Sequence, residues 1–151
     1  MEAEHRQTKH VLVAEDDPND LLLLERAAMG VQEKARFHFV RDGEELLHYM
    51  KGEGAFADRA AFPLPNLVVL DIHLPKINGI QLLHWIRSQP RLAGLKIIVW
   101  SGSEYEAEFA TVKAAGADGA MARPRSFEEL QALIRGFAAS LSGEDKASGH
   151  L

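Results

Sequence analysis

Acids and a hydroxyl stand at the points where short apolar runs stop. Glu15, Asp16 and Asp17 follow HVLVA, Asp71 follows LVVL, and Ser101 follows KIIVW. A cationic side chain, Arg123, comes directly after a further short run, GAMA. Carboxylates gathered in one place repel each other unless protons or a cation compensate. A hard divalent cation with oxygen ligands is the least costly remedy, and Mg²⁺ is satisfied by one or two carboxylates together with waters and a phosphate oxygen. In such a group Asp71 would be a metal ligand and, with its charge masked, a nucleophile toward a phosphoryl group. Taken singly, an acid after a strand more often serves a turn or a helix cap, and Asp17 before Pro18 reads as that cap. Glu15 and Asp16 gain nothing from the same cap. Whether they act with Asp71 depends on the elements that carry them.

Five apolar runs of strand length, at residues 10–14, 37–40, 67–70, 96–100 and 119–122, alternate with longer amphipathic stretches. The first, third and fourth are nearly continuous in apolar residues, as central parallel strands covered on both faces are. GAMA is the weakest of the five and rests on its place in the alternation. The stretches between carry helix punctuation. Asp17 and Pro18 open LLLLERAAM, which closes at Gly30; Asp42, Asn78, Ser103 and Ser126 precede the others, and Ser126 with Glu129 has capping-box spacing. Phe127, Leu130, Ile134, Phe137 and Leu141 recur at steps of three and four, marking one apolar face of the last helix. This βαβαβαβαβα order predicts an α/β domain, a doubly wound five-stranded parallel sheet of flavodoxin-like order 2-1-3-4-5. Groups that act on ligands collect at the carboxyl ends of such strands, so the fold itself brings Glu15, Asp16, Asp71 and Ser101 toward one site. Residues 1–9 read as a polar leading segment, 10–141 as the domain, and 142–151 as a polar, disordered tail. Residues 51–65 form a long connection before the third strand.

Composition narrows the function classes. The 151 residues, 46% of them hydrophobic, suit one core. A net charge of -5 gives no broad positive field for nucleic acid or anionic lipid. The absence of cysteine excludes disulfides and thiolate chemistry. No run approaches the roughly 18 apolar residues of a membrane span, and the polar start lacks the apolar centre of a signal peptide, so a cytoplasmic protein is expected.

The segments VLVAEDDPND, LVVLDIHLPKINGIQLL, IIVWSGS and GADGAMARP together resemble the receiver domain of two-component response regulators, over about residues 10 to 140. The resemblance implies that Asp71 is phosphorylated by a histidine kinase. It implies that Asp16 binds Mg²⁺ directly, that Glu15 assists through water, and that the main-chain carbonyl of His73 adds a ligand. Ser101 matches the hydroxyl that turns toward the phosphoryl group, and Gly79 the glycine that opens the following helix. The layout is similar to response regulators that partner phytochrome-type sensor kinases, some of which form a homodimer through the last helix and strand. The resemblance implies a signalling switch rather than an enzyme. Two positions depart from the pattern. Arg123 stands where the family has lysine, a planar fork in place of a compact point charge. Ala120 stands where receivers commonly carry a switch aromatic; Trp100 either replaces it as the moving bulk or is simply packed between sheet and helix. The Arg123–Pro124 peptide matches one that is cis in the family, and X-Pro is the bond where that form is inexpensive.

Other readings fit less well. A dehalogenase-type phosphatase wants a second Asp two residues after the nucleophile, where this chain has His73. A dinucleotide fold needs a Gly-rich turn where EDDPND stands. The histidines show no metal-site spacing. The serious alternative is a pseudo-receiver, the same fold used as a binding module without a phosphate switch, which Arg123 and Ala120 favour and Asp16 and Asp71 oppose.

Overall fold

In the computed structural model, residues 8–102 and 108–143 are described. The strands are β1 (Lys9–Ala14), β2 (Ala35–Val40), β3 (Leu67–Asp71), β4 (Lys96–Ser101) and β5 (Gly119–Ala122). The helices between and after them are α1 (Pro18–Met29), α2 (Gly43–Lys51), α3 (Gly79–Arg87), α4 (Phe109–Ala114) and α5 (Phe127–Ser142). All strands pair in parallel, in the order β2-β1-β3-β4-β5. This is the doubly wound sheet expected from the alternation of runs.

Side-chain alternation along the strands divides the core in two. Leu12, Ala14, Val68, Leu70, Ile97 and Val99 face α2, α3 and α4, where Leu46, Tyr49, Leu82, Leu83, Ile86 and Val112 meet them. Val11, Val13, Leu67, Val69 and Trp100 face α1 and α5, against Leu24, Ala27, Leu130, Ile134 and Phe137. The apolar stripe of α5 is thereby directed at the sheet, and core burial accounts for its period. β1 and β3 are buried on both faces, which explains their unbroken apolar sequence. β5 is only half-buried along its length, consistent with its edge position and its small residues.

The caps fall where the polar residues do. Asp17 accepts from the amides of Asn19 and Asp20, Asp42 from Glu45, Asn78 from Gln81 in a reciprocal capping box, and Ser126 from Glu129. Glu129 differs from the expected box in one respect: its carboxylate accepts from the amide of Arg125 rather than from Ser126. Ser103 lies outside the described residues, as do 1–7 and 144–151. Gly143 closes α5 in the left-handed region, at φ 93°.

The 51–65 connection is folded back on α2. The Tyr49 hydroxyl donates to the Pro63 carbonyl, and Arg59 donates to the carbonyls of Phe62 and Met50. The rings of Tyr49, Phe56 and Phe62 pack at 5.1 to 6.0 Å between centroids. Beside them His38 shares a hydrogen bond with His10, Nε2 to Nδ1, at 3.0 Å. Burial, then the charges of His10 and Arg36, push the His38 imidazole down from its usual 6.5 to about 4. A folded-state value below the unfolded one means that the unfolded chain takes up the proton first as pH falls. The contribution of His38 to stability therefore falls as pH drops from about 6.5 toward about 4 and is flat below, whereas a group raised in the folded state, such as Glu15, contributes the opposite slope. In urea denaturation across this range, the stability of the wild type relative to His38→Gln should fall as pH drops, since the difference isolates the His38 contribution.

Candidate functional site

The site lies at the carboxyl ends of β1, β3 and β4, together with the segment leaving β5. Glu15 follows β1 and its amide donates to the Val40 carbonyl at 2.9 Å, continuing the ladder and turning the side chain inward. It is 1% exposed. Its Oε2 accepts from the Asp17 amide at 3.0 Å, and its Oε1 lies 3.2 Å from Nη2 of Arg123. Burial pushes the Glu15 carboxyl up to about 7; the Asp17 amide and Arg123 pull the other way, and Asp71 and Asp20 add to the rise. Asp16, next along, is exposed at the mouth of the site. Asp17 points away into the α1 cap.

Asp71 is the last residue of β3 and is buried. Its Oδ1 accepts from the His73 amide at 2.8 Å, and its Oδ2 forms an ion pair with Nη2 of Arg123. Carboxylate oxygens of Glu15, Asp16 and Asp71, one from each, all lie within 4.8 Å of one another. Hard oxygen donors at this spacing, one of them on a buried acid with a raised pKa, fit a divalent cation. Two residues of β4 close the floor. Ser101 is 1% exposed with its Oγ unpartnered, and Trp100 is packed on the α1 and α5 side with Nε1 unpartnered. Ala120, paired with Val99, packs on the opposite face.

Arg123 is held by its backbone as well as by its charge: its amide donates to the Ser101 carbonyl at 2.7 Å. Its guanidinium reaches Asp71, Glu15 and also Asp20, with Nη1 3.5 Å from Asp20 Oδ2. Burial opposes the charge, but Glu15, Asp71 and Asp20 outweigh it and raise the Arg123 pKa further. The Arg123–Pro124 peptide is trans, correcting the cis expectation. Trans is the lower-energy isomer, and with it the chain continues from the β4 hydrogen bond of Arg123 to the Ser126 cap.

Reading the sequence did not single out Asp20. The available signal was position: Asp20 stands in the first turn of α1, the helix that starts directly after the β1 acids. Nor did it mark the supports of the β3–α3 loop. Lys76 adopts φ 72° and its Nζ sits 3.3 Å from Glu44 and 3.5 Å from Asp42. The Gly43 amide donates to the Pro75 carbonyl at 3.1 Å. The His73 ring lies 2.9 Å from Glu108, just before α4.

These features are those of a receiver. Residues 11–135 match the family model of the response regulator receiver domain, and the chain belongs to that family. Response regulator Rcp1 of Synechocystis is 24% identical over 90% of each chain. The phosphorylated cyanobacterial phytochrome response regulator RcpA superposes with a TM-score of 0.78 at 25% identity, over 89% of this chain and 94% of its own. Response regulator RPA3017, described in red light signaling of R. palustris, gives 0.77 at 30% identity over 87% and 92%. The protein is a two-component signalling domain, not a classical enzyme, and a histidine kinase is its implied partner. Among the described residues no helix is long and apolar enough to cross a membrane.

Gly79 shows how tightly the loop after Asp71 is drawn. Its amide donates to the Ile72 carbonyl at 2.9 Å, and a Cβ there would stand 2.9 Å from Ile72 Cα and 3.2 Å from the Asp71 carbonyl. Gly79→Ala should therefore destabilise the fold by about 1–3 kcal/mol in urea denaturation, because backbone rather than a flexible side chain must move.

Proposed function

We propose that this receiver accepts a phosphoryl group on Asp71 from a histidine kinase of phytochrome type, with Mg²⁺, and thereby switches a protein-interaction surface in the cytoplasm. The single observation that carries this reading is the convergence of Glu15, Asp16 and Asp71 within 4.8 Å, beside Ser101 and Arg123. Asp16 and Asp71 would hold the metal directly, Glu15 through water, and the His73 carbonyl would supply a further oxygen. Bound there, the metal offsets the charge of the carboxylates and of the incoming phosphoryl oxygens. The phytochrome assignment is supported by what the related regulators RcpA and RPA3017 are described as doing.

The chain's own residues set up the transfer. The His73 amide engages Oδ1 of Asp71 and fixes the carboxylate's rotation, so that Oδ2, once released by Arg123, is the oxygen that attacks phosphorus. The phosphorus–nitrogen bond of the phosphohistidine breaks as the acyl phosphate forms, and the imidazole keeps the electron pair and takes a proton. The unpartnered Ser101 Oγ is the hydroxyl placed to donate to the new phosphoryl oxygens, and Arg123 is the cation within reach of their added charge. Movement of Ser101 would be transmitted to the segment leading into α4. A small phosphodonor would serve in place of the kinase, giving self-phosphorylation.

The second reading, a binding module without a phosphate switch, draws on Arg123 lying among the carboxylates and on Ala120. Incubation with acetyl phosphate and Mg²⁺, followed by intact mass, separates the two. One phosphoryl adduct is expected, absent from Asp71→Asn and suppressed by chelator. Asp16→Asn should weaken Mg²⁺ binding by at least about tenfold. An adduct that persists in Asp71→Asn would refute the assignment, and no adduct in any condition would favour the binding module.

A further inference from the structure

Arg123 touches more than a phosphoryl pocket requires. On one side its Nη2 meets Asp71 and Glu15; on the other its Nη1 lies 3.5 Å from Asp20, which belongs to α1 and is outside the carboxylate trio. Beside the guanidinium, running from Glu15 to Asp20, is a cavity of about 120 Å³ whose lining also includes Leu23, Trp100, Arg123 and Phe127. It opens to solvent on one side and has more room than the roughly 10–15 Å³ that one water needs. Two buried donors next to it, Nε1 of Trp100 and Nε of Arg123, have no hydrogen-bond partner. An ordinary surface cleft would explain the space, but not an acid placed on its wall within reach of the arginine.

We propose that Arg123 has two berths: against Asp71 and Glu15 when no metal is bound, and in this cavity against Asp20 when a divalent cation takes those carboxylates. The inference rests on the reading of Glu15, Asp16 and Asp71 as a cation site. A guanidinium and a divalent ion compete for the same oxygens and repel each other at that range. Without a second anchor the displaced guanidinium would either stay close to the metal or be stripped of partners in a half-buried site, and metal affinity would suffer. Asp20 already holds one end of the fork, so withdrawal amounts to a rotation about an existing contact. A lysine ammonium would have to gather its acids around one atom, whereas the arginine fork meets them on separate nitrogens and can release one while keeping the other. Trp100 supplies an aromatic wall for the withdrawn cation. Because α1 and α5 form the other walls, the change of berth also alters packing beneath those helices, on the side of the sheet opposite Ala120. Asp20 is thus a positioning residue that acts through Arg123.

The test is a Mg²⁺ titration of the full chain followed by NMR, reading affinity from the site amides and the berth from the Trp100 indole N–H, assigned by comparison with Trp85→Phe. Arg123→Ala should tighten Mg²⁺ about fivefold to tenfold, and Asp20→Asn should weaken it by a similar factor. Asp20→Asn added to Arg123→Ala should change affinity less than about twofold, since the residue it positions is gone. The indole signal should shift with metal in the wild type and stay still in Arg123→Ala. An equal effect of Asp20→Asn with and without Arg123, or an unchanged affinity in Arg123→Ala, overturns the inference while leaving the metal site standing. If neither the wild type nor Arg123→Ala binds Mg²⁺ in a manner that Asp16→Asn abolishes, the metal reading itself fails and this inference with it.

Discussion

Repulsion among carboxylates confined at the end of a parallel sheet is the constraint on which the remainder depends. Two unit charges about 4 Å apart near a protein surface interact by about 4 kcal/mol, and Glu15 and Asp71 are both buried. The protein answers in three ways. Protonation is eased at Glu15, whose carboxyl is pushed up to about 7. Backbone amides of Asp17 and His73 each donate to one oxygen. A permanently charged guanidinium is inserted between the acids. The first two leave oxygens open to a divalent cation, whereas the guanidinium and such a cation are alternatives for the same acids.

The sheet is what makes the repulsion unavoidable. Parallel pairing aligns the ends of β1, β3 and β4, and the register Asp71 to Trp100 and Ser101 to Ala122 sets hydroxyl, acid and arginine at one level. The glycines act on the same geometry. Gly79 allows the loop after Asp71 to close on its own backbone, and Gly43 lets α2 begin against Ile77, where a Cβ would stand 2.4 Å from the carbonyl. The acid is thus fixed by backbone contacts on both sides of the loop.

Much of this was legible from residue types. Apolar runs and caps sufficed for the elements, because each is a local consequence of backbone hydrogen bonding and side-chain burial, and the strand order followed from the crossover rules for alternating strands and helices. Boundaries differed by a residue or two: β2 begins at Ala35 and β3 includes Asp71. The convergence of Glu15, Asp16 and Asp71 followed from topology, since a doubly wound sheet has one such edge. The aromatic packing of the 51–65 connection did not show, because Phe56 and Phe62 have no periodic partner within their own segment. The isomer of the Arg123–Pro124 peptide is not legible in the residues, because a preference of about 0.5–1 kcal/mol is decided by surroundings.

From the chain of residues alone came the class of fold, the acids at the strand ends and the two unusual positions, Arg123 and Ala120. Those are properties of order and spacing. Only the three-dimensional arrangement decided what Arg123 touches, that Asp20 shares it, that Trp100 lies on the α1 and α5 face, and that a cavity lies beside them. A long side chain of several rotatable bonds chooses its partners from whatever charges the packed helices bring within reach, and no local pattern encodes that choice.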